Sequence, residues 1–89
     1  MLIVINEPVC TSLNDDDFNK FKDLLNEYQL PFKTGYKNKI CLSEQTISIP
    51  NEIGKQLLSF YSNLDMSVEI DVGNKKIYVT IEGFKDANN

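Results

Sequence analysis

The chain has 89 residues, 42% of them hydrophobic and 25% charged, with a formal charge of −4, which describes one globular domain around one core. Histidine, arginine and tryptophan are all absent, so no His-based triad or dyad can be built and no guanidinium fork exists to grip carboxylate or phosphate bidentately. This balance counts against an enzyme, and the negative charge opposes broad nucleic-acid binding, which draws its affinity from cations neutralising phosphates.

Leu2-Ile3-Val4-Ile5 opens the chain as an unbroken apolar run rich in β-branched residues, the pattern of a strand in the middle of a sheet. It is too short to be a leader or a membrane span, so a cytoplasmic protein without membrane attachment is expected. Cys10 and Cys41 are the only cysteines, and in such a compartment they read as small half-buried residues without a disulfide. Their proximity in space is open at this stage.

The segment from Leu13 to Phe18 carries a helix start: Asn14 as N-cap, Asp17 three residues on, and Leu13 placed to staple onto Phe18. Phe18, Phe21, Leu25 and Tyr28 recur at helical spacing, with Leu24 widening the stripe, and Pro31 ends the helix, which is predicted over 14–29. Asp15, Asp17 and Asn19 resemble the alternating ligands of a calcium loop. The resemblance fails at the sixth place, held by Lys20, and at the twelfth, held by Asn26. No metal and no cofactor are expected. Asp16, Asp23 and Glu27 form an acidic helix face that could imitate nucleic-acid phosphates before a basic protein. Lys20, four residues from Asp16, makes an ordinary solvated surface the competing reading.

Phe32 to Lys39 holds Lys33, Lys37 and Lys39 with Phe32 and Tyr36 and no acid. Lysines beside aromatics can contact a partner or stack nucleotides. Alternatively the segment only connects helix to strand, with Gly35 turning the chain and Phe32 tucked into the core. Lys39–Ser43 and Thr46–Ile49 alternate apolar with polar residues and are predicted to be two short strands joined by a turn. Pro50-Asn51-Glu52 opens a second helix, whose buried face is Ile53, Leu57, Phe60 or Tyr61, and Leu64; Gly54 weakens it slightly.

Gly73-Asn74 between two alternating runs specifies a hairpin with a two-residue loop. The implied register sets Asp71 opposite Lys76, Ile70 opposite Ile77, Glu69 opposite Tyr78, Val68 opposite Val79, Ser67 opposite Thr80 and Asp65 opposite Glu82. The core is expected on the Ile70 and Ile77 side. On the other face, Glu69, Asp71, Lys76, Tyr78 and Glu82 surround an aromatic with charge, a composition suited to a protein interface. Strand addition or dimerisation along Lys75–Glu82 is expected from its predicted edge position, against the plainer reading of a solvated face.

The order β-α-β-β-α-β-β predicts an α+β fold with two helices packed on one face of a mainly antiparallel five-stranded sheet, resembling a ferredoxin-like core plus an edge strand. Residues 1–84 form the single domain and 85–89 a flexible polar tail. The functional expectation is a small acidic non-enzymatic protein-binding domain with a protein partner. Lysine use without arginine, together with many Asn and Ile residues, fits an AT-rich coding sequence, so its concrete form is a phage-type inhibitor of a bacterial defence or host protein. A dimeric small-molecule-binding regulatory domain, or an accessory subunit of a larger complex, is the alternative. Lys33, Tyr36 and Lys37 join the hairpin residues as candidate partner contacts.

Overall fold

The computed structural model describes residues 1–85, and its elements run β1 (Leu2–Ile5), β2 (Val9–Ser12), α1 (Asp15–Glu27), β3 (Lys33–Gly35), β4 (Lys39–Leu42), β5 (Gln45–Ser48), α2 (Asn51–Ser59), β6 (Leu64–Asp71) and β7 (Lys76–Phe84). The α+β class is as expected, with two helices, but the strands form two sheets in place of one. The large sheet has the order β5-β1-β7-β6 and the small one β2-β4-β3. β1 lies inside the large sheet, antiparallel to β5 and parallel to β7, which suits its unbroken apolar run.

Two strands, β2 and β3, were not anticipated. β2 buries one residue fully, Val9, and β3 buries none, so neither carries an apolar alternation long enough to be read. Their presence explains the split sheet. β4 and β5 follow one another but do not pair: β4 joins β2 and β3, while β5 crosses to β1.

α1 starts as predicted, with Asn14 Oδ1 accepting the Asp17 N–H at 2.8 Å. Its end is set before Pro31. Gln29 takes a left-handed conformation (φ 55°), its N–H donates to the Asn26 carbonyl at 3.1 Å, and the Leu30 N–H donates to the Leu25 carbonyl at 2.8 Å. This is a Schellman closure with glutamine in the place usually taken by glycine. α2 is shorter than predicted, because the chain leaves the helix at Phe60 and Leu64 is the first residue of β6. Gly54 has a packing role: a Cβ there would collide with the Met1 side chain, which lies across the helix.

One core joins both layers. Ile3, Ile5, Ile47, Val79 and Ile81 from the large sheet, Val9, Ile40 and Leu42 from the small one, and Phe21, Leu25 and Leu57 from the helices belong to a single buried cluster. Phe21 stacks on Phe60 (centroids 4.6 Å) and meets the Tyr61 ring edge-on at 5.7 Å. The Tyr61 hydroxyl donates to the Val9 carbonyl at 3.3 Å and lies 3.5 Å from that of Ile40, satisfying its polar end inside the core; burial raises its pKa above the ordinary phenol value. At the C-terminal side, the Lys85 N–H donates to the Asn63 carbonyl at 2.7 Å. The tail expected over 85–89 is thus held at Lys85, and its remaining residues lie outside the described ones.

Candidate functional site

The cysteine expectation is overturned first. β2 and β4 pair with Cys10 directly opposite Cys41, Cα atoms 4.0 Å apart, and the two are joined in a disulfide. Facing cysteines on neighbouring antiparallel strands share one side of the sheet, and here it is the outer side, since Ile40 and Leu42 fill the inner one. Sequence spacing could not show this because β2 itself was unseen. The same pairing leaves no unpaired cysteine among the described residues, which overturns the reading of Cys10 and Cys41 as unbridged.

The three sets of candidate residues lie on different elements. Lys33, Tyr36 and Lys37 belong to the β3–β4 hairpin. Gly35 stays within β3, and the turn is made by Lys37 and Asn38, both left-handed (φ 59° and 57°). Asn38 Nδ2 donates to Asp15 Oδ1 at 2.7 Å, tying the hairpin tip to the start of α1. Tyr36 stands 87% exposed at that tip. Lys33 points elsewhere, lining a cleft of about 220 Å³ with Pro8, Pro31, Phe32 and Leu42.

Asp16, Asp23 and Glu27 are all exposed on α1. The Asp16–Lys20 ion pair expected from their spacing does not form; among the described residues the one ion pair is Lys55–Glu52 at 3.4 Å. Asp23 and Glu27 line an open cleft of about 440 Å³ between the helices, beside Lys20, Ile53 and Phe60. Asp16 does not line it.

Glu69, Asp71, Lys76, Tyr78 and Glu82 do share one face of the β6–β7 hairpin, with the predicted register kept from Asp71↔Lys76 to Ser67↔Thr80. It then breaks. A bulge between Asp65 and Met66 sets Asp65 opposite Gly83 in place of Glu82. Gly83 has φ +138°, open to glycine almost alone, and a Cβ there would lie 2.8 Å from Glu7 Oε2. The hairpin loop also differs. Val72 to Lys75 form a four-residue turn whose left-handed residue is Lys75 (φ 55°), and neither Gly73 nor Asn74 has positive φ. Asp71 holds this turn: its carboxylate accepts from the Asn74 side chain at 2.9 Å and the Asn74 N–H at 3.2 Å, and these bonds lower its pKa. It therefore serves the loop, and it makes no ion pair with the facing Lys76. Glu82 accepts from Asn6 Nδ2 at 3.0 Å.

Two expectations about this hairpin need correction. Strand addition along Lys75–Glu82 is not open to β7, because β1 pairs with Tyr78–Ile81 on one side and β6 lies along the other; the free edge of the hairpin is β6. The Ile70 side of the hairpin does face the core layer, and Val79 and Ile81 are buried there at 1% exposure. Across from them, however, Met66, Val68 and Ile70 are 43, 51 and 65% exposed, and Val72 beyond is 81% exposed. No core residue covers this row. Alternation reveals which face a residue takes and carries no information on whether a helix reaches over it, so the sequence held no signal for this exposure.

Among the described residues no group of three or more potential metal ligands gathers, and no helix is long and apolar enough to cross a membrane. No protein-family model matches the chain, and no curated protein or solved structure matches it significantly.

Proposed function

We propose that this protein is a non-catalytic protein-binding domain that engages its partner through the β6–β7 hairpin. The observation that carries this reading is the row Met66, Val68, Ile70 and Val72, an apolar strip left uncovered along an edge strand. Contiguous exposed apolar surface is characteristic of interaction sites. Glu69, Asp71 and Lys76 give the opposite face of the same hairpin its charge. In its concrete form the domain is a phage-type inhibitor occupying a bacterial defence or host protein, a reading that rests on the lysine-only, Asn- and Ile-rich composition and the net charge of −4.

The test is comparative capture from a nuclease-treated lysate of a low-GC bacterium, with the wild-type protein and the variant Val68→Ser/Ile70→Ser as parallel baits. Both side chains are exposed, so the variant is expected to fold and melt as the wild type does. A stoichiometric protein retained by wild type and lost from the variant supports the reading. Equal retention on both baits, or none on either, rejects the hairpin as the contact surface.

A further inference from the structure

Resting on that reading, we propose that the partner contributes an extended segment in which apolar and basic residues alternate, and that this segment adds to the large sheet as a new strand alongside β6. Three features of β6 lead to it. The strand runs from Leu64 to Asp71 at the edge of the sheet, paired on one side with β7 and on the other, among the described residues, with no strand, so every second residue presents an unpaired N–H and C=O outward. Its core-side row is apolar and exposed, through Met66, Val68 and Ile70. Its other row holds Asp65, Glu69 and Asp71 with no cation, and none of these acids is in an ion pair.

An added strand keeps the pleat of the sheet, so its side chains alternate in step with those of β6. Apolar residues would lie beside Met66, Val68 and Ile70, and lysine or arginine beside the acidic row. Opposite charges on neighbouring strands attract and like charges repel.

The same rule disfavours a second copy of this chain as the occupant. Paired antiparallel about Val68, Asp65 would stand opposite Asp71 of the second copy. Paired about Ser67, Asp65 would stand opposite Glu69. Each of these registers, which overlap most of the strand, sets acid against acid, so the acidic row guards the edge against self-pairing while leaving it open to a basic strand. The apolar row supplies affinity, the open backbone groups fix the segment as a strand, and the acids select its charge.

The probe is a capped synthetic peptide of about ten residues, long enough to span the strand, alternating lysine with valine and threonine. Binding is followed by fluorescence anisotropy and by amide hydrogen exchange. Three comparison peptides accompany it: one of the same composition with the alternation scrambled, one with glutamate replacing lysine, and one N-methylated at every second residue so that its bonding edge is blocked. We expect the alternating basic peptide to bind, to protect alternate amides of β6 from exchange, and to weaken severalfold on raising the salt from about 50 to about 500 mM. The other three should bind at least about tenfold more weakly. Glu69→Lys should weaken the basic peptide and strengthen the glutamate one, a reversal that general stickiness would not produce.

Unchanged binding after N-methylation overturns strand addition while leaving the hairpin as a contact face, since the capture experiment does not depend on backbone pairing. Indifference to charge reversal overturns the basic character of the partner. No binding by the alternating peptide overturns the inference outright. So does a dimer of the free protein in light scattering that Val68→Lys dissociates, because the edge would then be filled by a second copy.

Discussion

β7 and β6 are neighbours in one hairpin with the same alternating pattern, yet they end in opposite environments. Val79 and Ile81 on β7 are 1% exposed, whereas Val68 and Ile70, facing the same way on β6, are 51 and 65% exposed. The difference lies outside the hairpin. β7 sits beside β1 in the middle of the sheet and shares the core cluster with residues of the helices and the small sheet; β6 lies one strand further out and gives that cluster only Leu64, at its start. An apolar row along a strand is therefore a statement about facing, and burial depends on how far the opposing layer extends.

The sharpest way to break this comparison is through the side chains doing the covering. Phe21 has 0% exposure and contacts both Phe60 and Tyr61. Phe21→Ala should cost about 3–5 kcal/mol in denaturant-induced unfolding, and a loss under about 1 kcal/mol would mean that the shared core is not what closes over β7. Next comes the cross-link. Cys10 and Cys41 are 31 residues apart in sequence, and replacing both with Ser should cost roughly 2–4 kcal/mol by freeing a loop of that size in the unfolded chain. The small sheet buries little beyond Val9, Ile40 and Leu42, so its amides should gain the most hydrogen exchange on reduction, with β1 and β7 affected less.

Gly83 stands opposite Asp65 where Glu82 is an extra, unpaired residue on β7. At φ +138° with Glu7 close by, Gly83→Ala should cost roughly 1–3 kcal/mol in thermal unfolding. Combining it with Glu7→Ala should recover the part due to crowding and not the part due to backbone strain.

On the uncovered row the same chemistry should matter little. Ile70→Thr is expected to change stability by less than about 0.5 kcal/mol, since it removes nothing from a packed interior. A loss above about 1.5 kcal/mol would show that β6 is covered in solution. The smallest effect belongs to Asp71, whose folded pKa is lowered by the bonds from Asn74. A lowered carboxyl pKa contributes order that is fully present above the unfolded value and disappears as pH falls through the folded one. The Asn74 amide resonances should accordingly stay constant at neutral pH and shift only below the ordinary carboxylate range. A midpoint at or above that range would contradict the Asx-held turn.

Legibility in the sequence followed the range of the interactions. The start of α1 was readable because Asn14 and Asp17 are three residues apart and bond each other directly. The pairing from Asp71↔Lys76 to Ser67↔Thr80 was readable because the turn lies next to it, and it failed beyond, at the Asp65/Met66 bulge that serves the docking of Gly83 against Glu7. The candidate surface was half legible. Glu69, Lys76 and Tyr78 were correctly placed on one face of the hairpin, while the exposed apolar row on the other was read as core. The disulfide was hidden because its strand, β2, is too short and too polar to announce itself.

By itself, then, the sequence determined the α+β class, both helices, the central β1 and the hairpin register near its loop, each of them a consequence of contacts a few residues apart or of a long apolar run. Only the tertiary structure decided that the strands divide between two sheets, that Cys10 meets Cys41, that β6 and not β7 forms the edge, and that Met66, Val68 and Ile70 remain uncovered. Those outcomes depend on which distant segments pack together and how far one layer reaches over another, and periodicity along a chain contains neither length.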